Sequence, residues 1–248
     1  MPNLLRTFEQ QLRLVPESSE QLKRAFLLPI RTWRKYRESL ANCQVRIGDE
    51  FDERYGTDTT TRVHMTDLRV ESANWIHASP YFPTPTGLLY DAIHESTLQL
   101  SRLTFVDLGS GKGRVLLQAS QLPFRKIIGV EFSPELNAIA ERNFARYIWH
   151  NGLQRCSDIS VVCADFTRYE FPQEPLFVFL YNPADLALSR IVAERLLDSL
   201  RAAPRECWVL YVTPYPVFEG EPQMQVVKTG KVEEHPYVLY RWEKGGRR

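Results

Sequence analysis

The chain has 248 residues, of which 44% are hydrophobic and 25% charged; this composition suits one large globular domain, with or without an appendage, and excludes whole-chain disorder. Its 31 basic and 30 acidic residues nearly cancel, so no overall field would steer it onto a nucleic acid. No apolar run approaches the roughly 18 to 20 residues of a membrane span, and charge interrupts the start too early for a secretory signal, which predicts a cytoplasmic protein without a membrane partner.

The cysteine and histidine residues predict neither a disulfide framework nor a metal site. The cysteines at positions 43, 156, 163 and 207 form no CxxC pair, and the five histidines show no HxxxH spacing. Isolated cysteines in a chain of this size are most often small core side chains. We therefore expect no bound metal.

The N-terminal third of the chain comes before any strand pattern. Residues 1–50 carry apolar side chains at helical spacing, interrupted by prolines, which predicts an N-terminal helical extension. Within it, RTWRKYR mixes aromatic and basic residues and fits either a nucleic-acid contact or a solvated helix face with two aromatic anchors. Residues 51–84 lack sustained periodicity and are predicted to be a connector. Thr84 and Pro85 are expected to begin a helix over residues 86–100.

From Thr104 onward, short apolar runs alternate with helical patterns. The runs TFVDL, KIIGVE, ISVVCA, LFVFLY and CWVLYV are apolar on both faces, which is typical of parallel strands covered by helices. Helices are predicted near residues 114–121, 134–150 and 185–201, the second with Ser133 as its cap. The runs MQVVKTGKV and YVLYRWEK follow each other too closely for a helical crossover, so they predict a closing antiparallel hairpin.

The stretch FVDLGSGKGRVLL, residues 105–117, joins the first predicted strand to a helix through three glycines. A P-loop would need GxxxxGK followed by serine or threonine, whereas Gly113 follows the GK pair here. A dinucleotide loop would be spaced GxGxxG, but Gly109, Gly111 and Gly113 are spaced GxGxG. Asp107, ahead of the loop, would repel a pyrophosphate and would suit a ligand with an ammonium group. The pattern favours a phosphate-free nucleoside over these two alternatives.

The segment VDLGSGKG resembles the first motif of the class I S-adenosylmethionine-dependent methyltransferases, and the resemblance continues over residues 80–242. It implies that Glu131 binds both ribose hydroxyls and that Asp165 meets the adenine amino group, with Phe132 or Phe166 packing on the ring. The residues that it assigns to the methionine and ribose portions of the cofactor are Asp107, Gly109, Ser110, Gly111 and Gly113. Three acids in order, each at a strand's carboxyl end, form the pattern of an α/β ligand site.

The fourth strand ends in YNPAD, which resembles the (D/N/S)PP(Y/F) motif of enzymes that methylate exocyclic or amide nitrogen. The resemblance implies that Tyr181, Asn182 and Pro183 lie at the transferable methyl, with the Asn182 side-chain oxygen aligning an NH2 group. Ala184 and Asp185 replace the second proline and the aromatic residue of that motif. The alternative is structural, with Asn182 as the N-cap and Pro183 at the first position of the next helix.

Two upstream segments resemble elements that cover the cofactor. SPYFPTPTGLL is similar to the loop before the first motif in the non-SET histone lysine methyltransferases, where it closes over the methionine end; the nearest matching positions are Tyr81, Pro83 and Thr84. FDERYGTDTTTRV resembles a segment ahead of this core in uncharacterised bacterial methyltransferases. Its candidate lid residues are Tyr55, Asp58 and Thr59. A packed connector is the alternative reading of that segment.

Together these patterns predict a Rossmann-like, doubly wound α/β fold with a seven-stranded, mostly parallel sheet. The expected organisation is a helical extension over residues 1–50, a connector or lid over 51–84 and a methyltransferase domain over 85–248. We expect S-adenosyl-L-methionine as cofactor and methyl transfer, to nitrogen, as the reaction. The acceptor is open between a protein amine, a nucleic-acid base and a small molecule, and the oligomeric state is open. The alternative function is a cofactor-binding scaffold or partner subunit without catalysis.

Overall fold

A computed structural model describes residues 50–61, 63, 81–94, 96, 98–150, 154–181 and 184–243. The predicted N-terminal extension, apart from Glu50, and its RTWRKYR stretch lie outside these residues. Asn182 and Pro183 also lie outside them.

The centre of the fold is one seven-stranded sheet with the strand order β3-β2-β1-β4-β5-β7-β6. The first five strands are parallel, and β7 runs antiparallel to both β5 and β6. The strands are β1 Thr104–Leu108, β2 Lys126–Glu131, β3 Ile159–Cys163, β4 Leu176–Tyr181, β5 Cys207–Val212, β6 Met224–Val232 and β7 His235–Trp242. The predicted doubly wound sheet with a closing antiparallel hairpin is therefore confirmed.

The helices follow the predicted alternation with the strands. They are α1 Glu50–Tyr55, α2 Leu88–Ile93, α3 Arg114–Ser120, α4 Pro134–His150 and α5 Leu186–Ala202, together with 3-10 turns at Leu100–Arg102 and Phe166–Arg168. The Ser133 hydroxyl accepts a hydrogen bond from the backbone N–H of Leu136 at 3.2 Å, which confirms the predicted cap of α4.

The helix predicted over residues 86–100 is wrong in both extent and cap. The structure has only α2 there, preceded by Gly87, which has a φ of 89° and makes no side-chain capping bond. His94 ends the helix because its ψ of 138° is extended. Thr84 lies ahead of this start, is buried, and accepts a hydrogen bond at its carbonyl from Gln118 Nε2 at 3.5 Å.

Two apolar layers cover the two faces of the sheet. One layer contains the buried face of α5, including Leu188, Val192 and Leu196, with alternate residues of β1, β2, β4 and β5. The other layer contains α2 and α3 with the remaining alternate residues, among them Phe105 and Phe177. Each large side chain buried in this way stabilises the fold by about 1.5–3 kcal/mol. Burial on both faces explains the continuous apolar runs of the central strands.

Strand β3 departs from the prediction that all five parallel strands are apolar and covered on both faces. It is an edge strand that pairs only with β2, and its Val162 and Cys163 are exposed. The other parallel strands lie between two neighbours, where both faces are covered. An edge position therefore accounts for the exposure of β3.

Candidate functional site

The glycine loop, residues 109–113, turns the chain from the end of β1 into α3. Gly109, Gly111 and Gly113 have φ values of 87°, 52° and 81°, the left-handed region in which side chains are strained. The backbone N–H groups of Gly109 and Ser110 both donate to the carbonyl of Val130, at 2.8 and 3.1 Å. The loop is thus fixed to the carboxyl end of β2. The Ser110 hydroxyl is buried and finds no hydrogen-bond partner within the described part of the chain.

Two buried carboxyl groups lie at this loop. Asp107 in β1 and Glu131 at the end of β2 are each 3% exposed. Glu131 accepts hydrogen bonds from the backbone N–H groups of Gly111 and Ser133, both at 2.9 Å. Burial raises the pKa of Glu131 to about 7 although these bonds oppose the rise. Burial, with a further contribution from the charge of Glu131, raises the pKa of Asp107 well above its usual range.

The third predicted acid, Asp165, follows β3 and caps the 3-10 turn after it. Its carboxylate accepts hydrogen bonds from the backbone N–H and the hydroxyl of Thr167, at 2.9 and 2.6 Å. Phe132 and Phe166 meet edge to face, with ring centroids 6.5 Å apart. Phe166 is only 4% exposed and belongs to the core layer beneath α5, whereas Phe132 is half-buried. Of the two rings, Phe132 therefore has the surface on which a ligand could pack.

The segment of residues 50–61 is organised around the carboxylate of Asp52. Its oxygens accept hydrogen bonds from the hydroxyl of Thr57 and from the backbone N–H groups and hydroxyls of Thr59 and Thr60, at 2.6–2.9 Å. Burial opposes ionisation of Asp52, but these bonds prevail and lower its pKa. Asp52 thereby holds the turn after α1 in one conformation.

An ion pair joins this segment to the glycine loop. Lys112, between the second and third glycines of the loop, donates to Asp58 at 2.8 Å; its side chain is 1% exposed and that of Asp58 is 39% exposed. Asn143 of α4 binds both partners through their backbones: its amide nitrogen donates to the carbonyls of Asp58 and Lys112, both at 3.0 Å, and its oxygen accepts from Asp58 N–H at 2.8 Å. Segment, loop and helix thus meet at one point.

Arg114, the first residue of α3, forms a second link to the same segment. It is 3% exposed and donates to the hydroxyls of Thr59 and Thr86, at 3.0 and 2.9 Å. Its guanidinium also lies 4.6 Å from the centre of the Phe51 ring. The arginine therefore connects α1, the residues before α2 and the glycine loop.

Tyr81 lies directly over the glycine loop. Its hydroxyl donates to the carbonyl of Thr59 at 2.6 Å, and a Cβ added to Gly111 would overlap its ring. The Lys112 ammonium is 5.9 Å from the centre of the same ring. Tyr81 thus stands beside the predicted cofactor residues, and Thr84 lies nearby over α3. The candidate lid residues Asp58 and Thr59 reach the loop or Tyr81, while Tyr55 packs against Tyr147 of α4.

At the end of β4, Tyr181 meets a residue from the far end of the chain. Its hydroxyl lies 2.9 Å from Nδ1 of His235, the first residue of β7. Helix α5 begins at Leu186, and its N-cap is Asp185, which accepts from the N–H groups of Ala187 and Leu188 at 3.0 and 3.1 Å. The alternative in which Asn182 caps this helix is therefore wrong.

Four residues that contact the predicted site are absent from the sequence-based prediction: Lys112, Arg114, Asn143 and His235. Lys112 and Arg114 flank the third glycine, but the glycine motif places no requirement on these two positions and so does not indicate a role for them. Asn143 is a polar residue within an amphipathic helix, where no local pattern distinguishes it from a solvated side chain. The hairpin does predict that the first residue of β7 lies at the carboxyl edge, but it does not indicate a partner for His235.

A family model described as "Histone methylation protein DOT1" matches residues 79–182, from ahead of Tyr81 to the end of β4. The match contains the glycine loop, Glu131 and Asp165 in the order in which the structure places them. The matched residues, fewer than half of the chain, resemble the core of a class I S-adenosylmethionine-dependent methyltransferase. No curated protein sequence matches the chain.

Several solved methyltransferase structures are similar to this core. An RNA methyltransferase from Salinibacter ruber, in complex with S-adenosyl-L-homocysteine, is 18% identical over 65% of this chain and 92% of that chain, with a TM-score of 0.45. The putative methyltransferase yhhF from Escherichia coli is 14% identical over 72% and 99%, with a TM-score of 0.48. A methyltransferase from Aquifex aeolicus is 14% identical over 62% and 89%, with a TM-score of 0.47. At this similarity no functional conclusion follows from them.

The described part of the chain contains no helix that is long and apolar enough to cross a membrane. Within the same residues, no group of three or more His, Cys, Asp or Glu side chains is arranged to hold a metal ion.

Proposed function

We propose that this protein transfers a methyl group from S-adenosylmethionine to a nitrogen atom of its acceptor. The observation that carries the proposal is the convergence of Asp107, Glu131 and Asp165 at the carboxyl edge of three adjacent strands, around a loop of left-handed glycines. Ligands of open α/β sheets bind at this edge. Two of the three carboxyl groups are buried, which favours a ligand that brings its own hydrogen-bond donors or positive charge.

The residues fit the cofactor portion by portion. Asp107 is proposed to balance the cationic methionine end, and the glycines to leave backbone without Cβ atoms beside it. Glu131 is proposed to accept hydrogen bonds from the ribose hydroxyls, and Asp165 from the adenine amino group, with Phe132 packing on the adenine ring. When bound, the cofactor supplies a methyl group already activated by its sulfonium. The protein then has to align the acceptor and exclude water.

We infer that residues 50–61 and Tyr81 form a lid on the methionine side of the site. Lys112, Arg114 and Asn143 attach the segment to the loop, and Tyr81 lies over Gly111. A cover of this kind would exclude water from the sulfonium. The domain division into an extension over residues 1–50, a lid over 51–84 and a catalytic domain over 85–248 remains part of this proposal.

On the acceptor side, we propose that Asn182 aligns the NH2 group to be methylated, with Tyr181 and Pro183 shaping the same corner. The support is the resemblance of YNPAD to the motif of nitrogen-directed enzymes and the removal of the competing explanation, because Asp185 caps α5. An amide oxygen that accepts an N–H bond directs the nitrogen lone pair toward the methyl carbon.

The function is tested with cofactor carrying a radioactive methyl group, incubated with the protein and Escherichia coli extract. The extract is then separated into protein, nucleic acid and small molecules. Transfer into one fraction, together with calorimetric binding of S-adenosylhomocysteine, is the expected result. Binding of the product without transfer into any fraction would point to a cofactor-binding scaffold, and tight NAD binding without S-adenosylhomocysteine binding would defeat the assignment.

Replacing Glu131 with alanine should weaken S-adenosylhomocysteine binding by on the order of 2–3 kcal/mol, because two hydroxyl bonds to a carboxylate are lost. Wild-type affinity should also rise with pH from 5.5 to 8.5. Hydroxyl donors favour the ionised carboxylate, so protons compete with binding below the Glu131 pKa of about 7, by up to about tenfold per pH unit. Ionisation of Asp107 should likewise raise the affinity as the pH rises.

The matched control is Glu135→Gln. Glu135 lies at the start of α4, and its carboxylate accepts a hydrogen bond from the Ser133 hydroxyl at 3.0 Å. It should leave both the affinity and its pH dependence unchanged. In Glu131→Gln the pH dependence should be flatter than in the wild type. Equal slopes in calorimetric titrations of Glu131→Gln and wild type would show that another group controls the effect.

Replacing Lys112 with methionine should detach residues 50–61 from the loop. The change removes a buried ion pair with a half-exposed partner, and we expect roughly tenfold weaker S-adenosylhomocysteine binding with faster amide hydrogen exchange in residues 50–61. Asp58→Asn and the double variant Lys112→Met/Asp58→Asn complete a double-mutant cycle. The loss of S-adenosylhomocysteine affinity in the double variant should be smaller than the sum of the two single losses.

Lys231→Met is the control, because the Lys231–Glu234 pair is exposed (54% and 90%) and three residues apart. Surface pairs of this kind contribute about 0–1 kcal/mol, so exchange and affinity should not change. Unaltered exchange in residues 50–61 of Lys112→Met would exclude the ion pair as the anchor of the lid.

A further inference from the structure

Tyr181 and His235 form a hydrogen-bonded pair at the carboxyl edge of the sheet. The Tyr181 hydroxyl lies 2.9 Å from His235 Nδ1, and the two rings meet edge to face at 5.4 Å between centroids. β4 runs parallel to β1, whereas β7 is antiparallel to β5. The last residue of β4 and the first residue of β7 therefore reach the same edge from opposite chain directions.

The pair lies on the side of the sheet that carries Asp107. In the parallel register Asp107 is opposite Phe179, and Tyr181 follows Phe179 by two residues, so it projects from the same face one step closer to the edge. This is the level at which β1 passes into the glycine loop. The pair thus lies on the face and at the edge of the sheet where the methionine side of the cofactor is proposed to bind, and Tyr181 directly precedes Asn182 in the sequence.

The surroundings favour a neutral imidazole at His235. Both members of the pair are half-buried. Burial lowers the pKa of His235, although the negative charges of Glu233 and Glu234 in the preceding turn act in the opposite direction. The other charged groups nearby have partners of their own. Lys231 pairs with Glu234 at 3.0 Å, and Tyr237 donates to Asp91 at 2.7 Å on the same face of the sheet. A neutral imidazole can accept a proton at Nδ1 from the Tyr181 hydroxyl.

We propose that Tyr181 and His235 form the proton-accepting pair of the acceptor site and that the acceptor is a planar NH2 group, of an amide or an aromatic amine; this rests on the proposed methyl transfer. The acceptor nitrogen bonds to the methyl carbon while the methyl–sulfur bond breaks and its electron pair stays on sulfur. The nitrogen then carries one positive charge and one proton in excess. Tyr181 Oη takes that proton and passes its own to His235 Nδ1, from which water removes it.

The acceptor class follows from the proton balance. A methylated amide or aromatic amine is a strongly acidic cation, and even a weakly basic imidazole removes its proton. A methylated alkylamine holds its proton near neutral pH, because such ammonium groups have pKa values of about 10. An imidazole, whose ordinary pKa is about 6.5, is too weak a base to prepare an alkylammonium for attack, and no base is needed after transfer to an alkylamine. The pair therefore suits the planar NH2 group.

The test compares full-length wild type, Tyr181→Phe and His235→Gln with labelled cofactor and Escherichia coli extract between pH 5 and 9. Each variant should transfer methyl groups roughly 10- to 100-fold more slowly at pH 7.5, since positioned acid–base groups contribute on this scale. S-adenosylhomocysteine affinity should stay within about twofold of wild type. With labelled cofactor kept saturating at every pH, so that protonation of Glu131 does not limit the rate, His235→Gln should lose the decline in rate at acid pH. Enzymatic digestion of the product, which leaves side-chain amides and bases intact, should give label on an amide or a base.

Two matched controls separate this role from folding. Tyr237→Phe removes a tyrosine hydroxyl from the same face, and His94→Gln replaces the exposed histidine that follows α2; both should keep the wild-type pH profile. Wild-type rate with an intact acid decline in either Tyr181→Phe or His235→Gln overturns the proton-accepting pair, as does label on lysine. Product binding without transfer by the wild type overturns the methyl-transfer proposal itself, and the pair with it.

Discussion

Replacing Gly111 with alanine is expected to lower the affinity for S-adenosylhomocysteine by on the order of 100-fold, or about 2.7 kcal/mol. The residue has a φ of 52°, which strains any side chain. In addition, the new Cβ would overlap the Tyr81 ring, which cannot move away without losing the hydrogen bond from its hydroxyl to the Thr59 carbonyl. Either the loop shifts or the lid opens, and calorimetry measures the result.

Gly220→Ala is the matched control for Gly111→Ala. Gly220 has a φ of 83°, but a Cβ added there would meet no atom within 4 Å. It should cost about 1 kcal/mol of folding stability and leave cofactor affinity unchanged. Combining Gly111→Ala with Tyr81→Ala should give a loss smaller than the sum of the two. A fully additive loss would show that the overlap with Tyr81 is not the cause.

Replacing Asn182 with alanine should lower turnover by roughly 100-fold or more while S-adenosylhomocysteine affinity stays nearly constant. The loss corresponds to about 3 kcal/mol of transition-state alignment, because the Asn182 amide is proposed to contact the acceptor and not the cofactor. Methyl-transfer rates and calorimetry on the same preparation measure the two quantities.

Asp185→Ala provides the control for Asn182→Ala. Asp185 caps α5 through two backbone N–H groups, so its loss should cost about 1 kcal/mol of stability and spare the turnover of the folded enzyme. If Asn182→Ala behaves like Asp185→Ala, with a lower melting temperature and normal specific activity, the acceptor amine has a different partner.

The sheet could be predicted from the sequence because its determinants are local. Each of the parallel strands β1, β2, β4 and β5 is apolar on both faces and carries its own pattern over five or six residues, as KIIGVE and LFVFLY do. The positions of Asp107, Glu131 and Asp165 follow from the same rule, since residues that end parallel strands meet at one edge. Edge exposure of β3 depends on strand order, which its own sequence does not encode.

The lid contacts could not be predicted because they join distant residues. Asp58 is 54 residues from Lys112 and 85 from Asn143, and no local pattern pairs them. The prediction of the α5 cap failed for a different reason. Asn182 and Asp185 are equally good capping residues, and only the position of the first helical turn distinguishes them. The short α2 shows the same limit, because its ends depend on Gly87 and on the extended conformation of His94.

The anchoring of Asp58 by Asn143 also bears on how the protein is made. The segment that covers the glycine loop is synthesised before every strand of the sheet, yet its partners on the loop and on α4 emerge from the ribosome 54 and 85 residues later. Contacts of such long sequence separation form late, because the intervening chain must be ordered first. In a nascent chain, residues 50–61 would therefore not be anchored over the glycine loop until α4 has been released. A stalled or truncated chain that ends before Asn143 would expose the segment Asp52–Thr60 to proteases and chaperones, because its partner on α4 is missing.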